Sequence, residues 1–488
     1  MTGTSRIDLP RPGLEETGDA ISRGERTAGD NCEDSLERIA SYDSQLNAFI
    51  TVAAGSARSA AADIDARPAL DRGSLPLAGV CLGIKDNLVG SLGEVPTTAG
   101  SRILSTWIPP AGYEATCVER LHRAGAVIIG KTNCDEFGMG SSGEYSAFGA
   151  TRNPRDLGRV PGGSSSGSAA AVAAGLVDAA LGTDTGGSIR QPAALTGTVG
   201  LKPTWGRVSR WGLVAYASSF DSIGPITRTV RGAALLLGVI AGQDTRDATS
   251  SSQPVPDYLA DIEADVEGFV VARLSAGNGT AIQPAISAGV QQAADLLAGA
   301  GARVEHRPDP VPHEAIAAYY LIATSEAASN LARYDGLRYG SAVRLESSLT
   351  ERVAATRGTG FGPEVRRRIV LGTFALSRGY AEQYYRRAVR LRARVGAAWS
   401  ELFESADLVL MPTTPTTAWP LGEKLSDPVA MYLSDRFTIP VNLAGLPAIS
   451  VPIGEDENGL PVGVQLVAPP FAEKRLLRAA RAIERGCA

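Results

Sequence analysis

The stretch from Gly162 to Pro192 constrains this chain more than any other, because its backbone carries very few large side chains. Twelve of its 31 residues are Ser or Gly, gathered mainly at 162–168 and 186–188 and separated by a run of small residues. Glycine lets backbone N–H groups approach a ligand with no Cβ in the way. A serine in such a setting is a candidate nucleophile. The stretch contains no histidine, so a base for that serine must come from elsewhere in the chain.

The overall composition argues against several classes of function. A net charge of −5, from 47 basic and 52 acidic residues, does not favour a chain that binds nucleic acid by itself through a basic face. No window approaches the roughly 18 consecutive apolar residues of a membrane span. The N-terminus lacks the basic and apolar regions of a signal peptide. Five widely spaced cysteines without a CxxC pattern predict free thiols, and we expect a cytoplasmic protein.

Alternating strand and helix patterns predict the fold class. Apolar runs predict strands at 79–85, 126–130, 179–181 and 199–201, and periodic segments between them predict helices. The alternation resumes at 268–306. It indicates an α/β fold, with a mixed or parallel sheet covered by helices on both faces.

Three segments of different composition suggest the domain organisation. Residues 1–33 are rich in Pro, Gly and charge and are expected to form a poorly ordered N-terminal segment. Residues 34–488 are then expected to form a single domain. Within it, residues 313–400 are almost wholly helical in pattern, which we interpret as a helical insertion.

Two short motif matches are not taken as functional. GAVIIGKT (125–132) fits the P-loop pattern, but its middle residues form an apolar strand whose N–H groups belong to a sheet. GSSSG (163–167) fits the nucleophile-elbow pattern with Ser165 at its centre. That motif needs a preceding apolar strand and a late histidine, whereas a loop precedes it here and only His306 and His313 follow.

A lysine is the remaining common base for a serine nucleophile. It can act only when burial or polar neighbours lower its pKa. Lys85 ends an apolar strand and precedes the polar pair Asp86–Asn87. Lys131 and Lys202 also follow apolar strands, so the residues alone leave three candidates. The turn at 186–188 could direct consecutive N–H groups at a developing oxyanion.

The sequence GGSSSGSAAAVAAG, followed by LGTDTGGSIRQPAALTGTVGLKPTWGRVS, resembles the signature of the amidase signature family. The resemblance implies that family's fold, a large mixed β-sheet covered by helices on both faces. It also implies a Ser–cis-Ser–Lys triad, with the nucleophile at Ser188, a bridging serine at Ser164 whose peptide bond is cis, and the base at Lys85. The implied oxyanion-hole amides are those of Thr185, Gly186, Gly187 and Ser188.

Segments outside the signature resemble one branch of that family, the A subunit of glutamyl-tRNA(Gln)/aspartyl-tRNA(Asn) amidotransferases. The resembling segments are 135–154, 209–230, 329–340, 366–380 and 427–452. In that branch an Arg binds the carboxylate of free glutamine and an Asp binds its ammonium, which fall at Arg368 and Asp435 here, with a nearby Tyr at Tyr319. One fixed charge of each sign suits a zwitterionic amino acid.

The resemblance further implies a glutaminase that works within a complex. Glutamine is hydrolysed to glutamate and ammonia, and a partner B subunit with ATP and Mg²⁺ uses the ammonia to amidate Glu-tRNA(Gln) or Asp-tRNA(Asn). We expect a heterotrimer with B and C subunits, tRNA contacted mainly through the partner, and no cofactor or metal in this chain. One alternative is a stand-alone amidase or amidotransferase acting on a small-molecule amide. Another, a non-catalytic scaffold, is disfavoured because all three triad residues are present.

The chain departs from the family pattern at three places. Ser166 stands where the family usually has Gly, and Gly143 stands where Thr is usual. A serine at 166 would be strained if that position needs a positive φ. The loop LVGSLGEVPTTAGSRI (88–103) is also longer and differently composed than is common in this branch of the family.

Overall fold

The computed structural model describes residues 6–275, 281–343 and 348–487. The strands are β1 (Phe49–Val52), β2 (Cys81–Lys85), β3 (Val127–Thr132), β4 (Ala179–Asp184), β5 (Val199–Lys202), β6 (Ser222–Thr227), β7 (Val270–Leu274), β8 (Arg303–Arg307), β9 (Leu408–Pro412), β10 (Ala448–Glu455) and β11 (Pro461–Val467). The helices are α1 (Leu14–Ser22), α2 (Ala28–Leu46), α3 (Ala54–Asp65), α4 (Ala69–Gly73), α5 (Thr116–Arg123), α6 (Ser166–Ala173), α7 (Arg190–Thr196), α8 (Val230–Ile240), α9 (Pro284–Gly299), α10 (Ala315–Asn330), α11 (Leu349–Gly360), α12 (Pro363–Leu376), α13 (Tyr385–Phe403), α14 (Pro428–Leu433), α15 (Ile439–Leu443) and α16 (Glu473–Cys487).

The described strands form one 11-stranded mixed sheet in the order β1-β3-β2-β4-β6-β5-β10-β11-β9-β7-β8. β2 lies parallel between β3 and β4, whereas β4, β6, β5, β10, β11 and β9 pair antiparallel in succession. All residues of β2, β3 and β4 are buried. Helices cover both faces there, which is why the sequence shows continuous apolar or small-residue runs rather than alternation. The predicted α/β class with a mixed sheet is confirmed.

Alternate residues of each strand pack against different helices. On β3, Ile128 joins a cluster with residues of α5, α8, α9 and α16, which cover one face of the sheet. Its neighbours Val127 and Ile129 join a cluster with α2, α3 and α6 on the other face. At the far end of the sheet that second face is covered by residues of α10, α12, α13 and α15. The core is therefore two layers of helix with the sheet between them.

The small residues of the Gly/Ser stretch are explained by where α6 lies. All eight residues of α6 are buried. A side chain at Gly167 would collide with the backbone of Ala48 and Asn133. Because α6 packs this closely between neighbouring segments, the helix tolerates only small side chains. The following strand, β4, leads directly to the second Gly/Ser cluster.

Two central features of the sheet were not predicted from the sequence. β6 contains Gly224 and Pro225, which disfavour a strand assignment, yet it pairs with β4 and β5 in the middle of the sheet. β9 was likewise unassigned, and it joins β11 to β7. The P-loop match at 125–132 is β3 with its preceding turn, so the decision to set it aside is confirmed. None of the described helices is long and apolar enough to cross a membrane.

The N-terminal segment differs from the expectation of poor order wherever the structure describes it. Residues 6–33 contain α1 and the start of α2, and the side chains of Ile7, Leu14 and Ile21 are buried. Arg11 enters the protein and donates from Nε to Asp178 Oδ1 at 2.5 Å, and both side chains are fully buried. The Pro and charge content that suggested disorder instead reflects a segment held by a long-range ion pair, which local patterns do not reveal.

Asp178 is also bound by the N–H of Cys81 at 2.7 Å and by Asn31 Nδ2 at 2.9 Å. Burial alone would raise the pKa of this carboxyl, but the charge of Arg11 and these hydrogen bonds outweigh it and hold the pKa below its usual range. The ion pair therefore attaches the N-terminal segment to the residue before β4, which also binds the start of β2, the strand that ends at Lys85.

We predict that Arg11→Ala lowers the free energy of unfolding by about 3 kcal/mol, because it leaves a buried carboxylate without its counter-ion. Urea denaturation followed by circular dichroism measures this. Exposed Arg23, paired with Glu25 at 2.7 Å, provides the matched control, and its alanine variant should change stability far less. Equal small effects would show that residues 6–33 are not an integral part of the fold.

Candidate functional site

Lys85 lies at the end of β2 with its side chain fully buried. Its Nζ is 2.7 Å from Ser164 Oγ, 2.8 Å from Thr183 Oγ1 and 3.0 Å from Ser165 Oγ. Burial lowers the pKa of this lysine to about 8, since the surroundings disfavour the charged form. A substantial fraction of the amine is therefore neutral near pH 8 and able to accept a proton from a hydroxyl.

The two rival lysines have other partners. Lys131 pairs with Asp86, with 3.5 Å between Nζ and Oδ1. Lys202 donates to the backbone carbonyls of Pro203 at 2.9 Å and Leu446 at 2.6 Å. Neither bonds to a serine of the Gly/Ser stretch in the part of the chain that the structure describes. Among the three candidates, only the lysine on β2 is placed beside serine hydroxyls.

Ser164 is held from the neighbouring loop. The peptide bond between Gly163 and Ser164 is cis, as the resemblance implies. The N–H of Asp135 donates to the Ser164 carbonyl at 3.2 Å, and the Asp135 carboxyl accepts from the N–H groups of Gly143 at 3.1 Å and Tyr145 at 2.9 Å. Burial raises the pKa of Asp135 to about 6. The loop that begins at residue 135 is thus folded around the serine.

Ser165, the central residue of the elbow pattern, serves the backbone. Its Oγ donates to Thr183 O at 3.1 Å and accepts from Thr183 N at 3.2 Å, while its N–H donates to Ser188 O at 3.2 Å. No histidine is within hydrogen-bonding distance of it in the described residues, and His122 is paired with Glu114. The geometry does not support a Ser–His mechanism.

The second Gly/Ser cluster forms a turn between β4 and α7. Among the described residues, the N–H groups of Gly186, Gly187 and Ser188 donate to no protein acceptor. Thr185 Oγ1 donates to Asp221 Oδ1 at 2.7 Å, which fixes the start of the turn. Ser188 is 8% exposed, so its hydroxyl is accessible from the site. No hydrogen bond joins Ser164 Oγ to Ser188 Oγ within the described chain.

A buried ion pair joins the two residues that border this turn, at the end of β4 and the start of α7. Arg190 donates two hydrogen bonds of 2.9 Å to the carboxylate of Asp184, and both side chains are fully buried. Asn442 Nδ2 donates to Asp184 at 2.9 Å, and Arg190 also donates to Gln465 Oε1 at 2.5 Å. Burial alone would raise the pKa of Asp184, but these interactions hold it near 2. Every partner is satisfied, so the turn rests on a rigid polar network.

Arg368, on α12, is buried and directs its guanidinium to the site. Its Nε donates to Glu364 at 2.8 Å and its Nη1 to Tyr216 Oη at 2.7 Å. Its guanidinium also lies about 5.4 to 5.5 Å from the ring centroids of Tyr216, Tyr320 and Tyr432. Nη2 makes no hydrogen bond among the described residues and remains available for an anion.

Asp435 supplies the opposite charge. Its Oδ2 accepts from Ser141 Oγ, whereas its Oδ1 is buried with no partner in the described structure. Burial raises the pKa of this carboxyl to about 7. Its backbone carbonyl accepts from Thr438 Oγ1 at 3.0 Å, and the same hydroxyl contacts Gly186 O at 2.6 Å. An unpartnered buried acceptor beside the turn indicates a place for a cationic donor.

Tyr319 lies between these charges. A Cβ on Gly186 would be 2.6 Å from Tyr319 Oη, so only glycine at 186 allows the phenol to reach the turn. Burial raises the pKa of Tyr319, and the charges of Arg368 and Asp435 both act on its hydroxyl. The structure thus brings together all nine site residues named from the sequence.

The structure adds residues that the sequence analysis did not single out. Ser141, Tyr216 and Glu364 bind the two charged side chains, and Thr183 and Asp221 bind the lysine and the turn. Four of them lie within or next to the segments outside the signature that carry the family resemblance, which was the available signal. Among the described residues, no group of three or more His, Cys, Asp or Glu side chains is arranged to hold a metal ion.

The two single-residue departures from the family pattern are in contact with each other. Ser166 begins α6 and does not have a positive φ, so the expected strain is absent. Its Oγ is 3.1 Å from Thr151 Oγ1. Gly143 has φ +83°, and a Cβ there would lie 2.6 Å from Ser166 Cβ. Glycine at 143 therefore provides both the backbone conformation and the space that the serine needs.

The sequence and the fold of this chain are both similar to those of known proteins. A profile of the Amidase family matches residues 30–477. The A subunit of the glutamyl-tRNA(Gln) amidotransferase of Synechococcus sp. (strain RCC307) is 53% identical over 466 residues, which cover 96% of this chain and 95% of that protein.

Solved structures agree with this match. The crystal structure of the A subunit of the glutamyl-tRNA(Gln) amidotransferase from Thermotoga maritima has a TM-score of 0.80 and 43% identity, and the alignment covers 98% of this chain and 96% of that one. The peptide amidase of Stenotrophomonas maltophilia has a TM-score of 0.82 and 31% identity, with 98% and 97% covered. The same fold thus accommodates both an amidotransferase subunit and a peptide amidase.

We predict that Gly143→Thr destabilises the chain by at least about 2 kcal/mol, because it combines a strained φ with a clash against Ser166. Adding Ser166→Gly should recover about 1 kcal/mol, measured as coupling in a double-mutant cycle by urea denaturation. Gly93→Thr is the matched control, since Gly93 has φ +73° and open space around its Cβ position. Additive effects of the 143 and 166 changes would contradict the packing argument.

Proposed function

Because the chain belongs to the amidase family, we propose that it hydrolyses the side-chain amide of glutamine as the A subunit of a tRNA-dependent amidotransferase. The carrying observation is that Arg368 has one cationic N–H group without a partner and Asp435 one carboxylate oxygen without a partner in the described structure. The Thr438 hydroxyl joins the carbonyls of Asp435 and Gly186, which places Asp435 beside the turn that holds Ser188. An α-amino acid needs one charge of each sign for its two charged groups. Its side-chain amide is then presented to Ser188.

The proposed reaction begins with proton transfer along the Lys–Ser–Ser chain. Neutral Lys85 accepts the proton of Ser164 Oγ, to which it is already hydrogen-bonded at 2.7 Å. Ser164 in turn accepts the proton of Ser188, whose hydroxyl must turn towards it when substrate binds. Ser188 Oγ then attacks the amide carbon, and the free N–H groups of the turn bind the oxyanion.

The tetrahedral intermediate formed by this attack then breaks down to release ammonia. The C–N bond breaks, the leaving nitrogen takes a proton returned through Ser164 from the Lys85 ammonium, and ammonia departs. The γ-glutamyl ester on Ser188 remains. A water molecule, deprotonated by the same chain, attacks the ester, and glutamate leaves as the Ser188 hydroxyl is restored. Each proton removed in the first half is returned, so the triad is regenerated.

The fate of the ammonia is proposed from the relatives. Proteins about 50% identical to this chain are named as A subunits of glutamyl-tRNA(Gln) amidotransferases. We propose a cytoplasmic heterotrimer with B and C subunits, in which ATP and Mg²⁺ on the partner support amidation of Glu-tRNA(Gln) or Asp-tRNA(Asn). We also propose that residues 34–488 form one domain, which the single continuous sheet supports. The names of these relatives at about 50% identity favour the amidotransferase subunit over a stand-alone amidase.

We predict that hydrolysis of butyramide, an uncharged amide, rises with pH up to about 8 and then levels off. The pKa of Lys85 is lowered to about 8, and only its neutral form is a base, so kcat/KM should fall about tenfold per pH unit below that value. Ammonia release is the measurement, with Ser188→Ala, expected to lose at least about a thousandfold, as the background. Lys202→Met is the matched control because burial also lowers the pKa of Lys202, to about 7. If Lys202→Met abolished the pH dependence of butyramide hydrolysis while Lys85→Ala remained active, Lys85 would not be the base.

We predict that Arg368→Ala lowers kcat/KM for glutamine at least about a hundredfold while changing butyramide hydrolysis less than about threefold.

The pH profile of kcat/KM for glutamine should also show a second decrease at low pH, which the profile for butyramide lacks. Asp435 binds ammonium only when ionised, and its pKa is about 7, so KM for glutamine should rise as pH falls below 7. Asp435→Asn should remove this decrease. Equal losses for both substrates would indicate that the two residues are structural.

A further inference from the structure

The N-terminus of α12, the helix that carries Arg368, has no cap of its own. Its N-cap residue is Gly362, which has no side chain to accept a hydrogen bond, and its first residue is Pro363. The first N–H groups of a helix have no partner within the helix and need one from elsewhere. The group that accepts a hydrogen bond from this end of α12 therefore helps to fix the start of the helix relative to the rest of the chain.

Glu136 supplies the partner from 226 residues away. Its Oε2 accepts from the N–H of Gly362 at 2.7 Å, and its Oε1 accepts from Ser101 Oγ. Ser101 Oγ is also 3.3 Å from Gly360 O, on the other side of the same turn. Glu136 is only 2% exposed. A side chain at Gly362 would collide with its carboxylate, so the glycine that cannot cap the helix leaves the space for the residue that does.

The other side of Glu136 faces the proposed catalytic residues. Its neighbour Asp135 donates its N–H to Ser164 O at 3.2 Å. Two residues further on, a Cβ at Gly138 would be only 3.6 Å from Ser164 Oγ. The loop thus bonds to the bridging serine through Asp135 and to the start of α12 through Glu136.

We propose that Glu136 is a positioning residue for glutamine, setting the place of Arg368 relative to the Ser164–Ser188 pair by capping α12. This inference rests on the proposed function. Arg368 lies six residues after Gly362, about 9 Å along a rigid helix, so a shift at the cap moves the guanidinium with it. Small displacements of a binding group can cost as much as a hundredfold in rate. Substrates without a carboxylate do not use Arg368 and are unaffected by such a shift.

Glu136→Ala tests this through a selectivity ratio, kcat/KM for glutamine divided by kcat/KM for butyramide. We expect the ratio to fall about tenfold, with butyramide hydrolysis within about threefold of the unaltered chain. The matched control is Glu484→Ala, which removes a similar long-range cap, a 2.8 Å bond from Val230 N at the start of α8. It should lower stability without changing the ratio. An unchanged ratio in Glu136→Ala, or an equal fall in the control, would overturn the proposal.

Two further variants separate capping from general damage. Glu136→Gln keeps an acceptor oxygen for Gly362 N–H and should retain most of the ratio. Gly362→Ser in the Glu136→Ala background gives α12 a local cap, since serine is a preferred N-cap residue and φ −69° at 362 suits it. This local cap does not tie α12 to the loop at residue 136, so it should restore slow amide exchange in the first turn of α12 but not the ratio. A glutamine variant as impaired as the alanine variant, or full recovery of the ratio by serine, would contradict the positioning role.

Hydrogen–deuterium exchange tests the cap without any substrate. Glu136→Ala should accelerate exchange of amides in the first turns of α12 and leave α8 unchanged, and Glu484→Ala should do the reverse. Unchanged exchange in α12 would overturn the proposal directly. The proposed function would fail if the unaltered chain showed no preference for glutamine over butyramide, or if Arg368→Ala did not reduce that preference. Amide exchange in α12 would still show whether Glu136 caps the helix.

Discussion

The burial of the Lys85 amine at the end of β2, a central strand, is the constraint on which the rest of this structure depends. A charged amine is costly in such a place, so Lys85 is held by three hydroxyls and its pKa falls to about 8. Two of these hydroxyls belong to the first Gly/Ser cluster and the third to β4. The contacts that stabilise the buried lysine therefore include the contact to Ser164 along which the proposed proton transfer would occur.

The residues proposed to select the substrate lie in a different part of the chain. The proposed triad lies on the sheet and on the loops that precede α6 and α7, whereas Arg368 lies on α12, Tyr319 on α10 and Asp435 in the segment before α15. A sheet-borne triad can cleave amides in general, and the surrounding helices decide which amide is presented. This division agrees with a fold that is shared by a peptide amidase and an amidotransferase.

Much of this could be predicted from the sequence, but by two different routes. Strand and helix patterns predicted the α/β class and most elements, because apolar periodicity is local. The residues alone leave Lys85, Lys131 and Lys202 open, and only the family resemblance favours Lys85 before tertiary contacts are considered. The local patterns do not predict β6, the helix and buried ion pair within residues 6–33, or the role of Glu136. Pro225 in a central strand, Arg11 paired with Asp178, and a cap from 226 residues away all depend on tertiary contacts that no local pattern encodes.

The reciprocal fit of Gly143 and Ser166 also bears on how such a chain could have arisen. If an ancestor had the more usual threonine and glycine at these positions, the serine could not enter first, since its Cβ would meet the threonine's. Replacing the threonine by glycine opens the space and permits the serine afterwards. Steric contact thus sets the order of the two substitutions. For the same reason, Gly143 could not revert to threonine until Ser166 had been replaced. From such an ancestor, the contact between the loop at Gly143 and the start of α6 at Ser166 would allow the two substitutions in one order only.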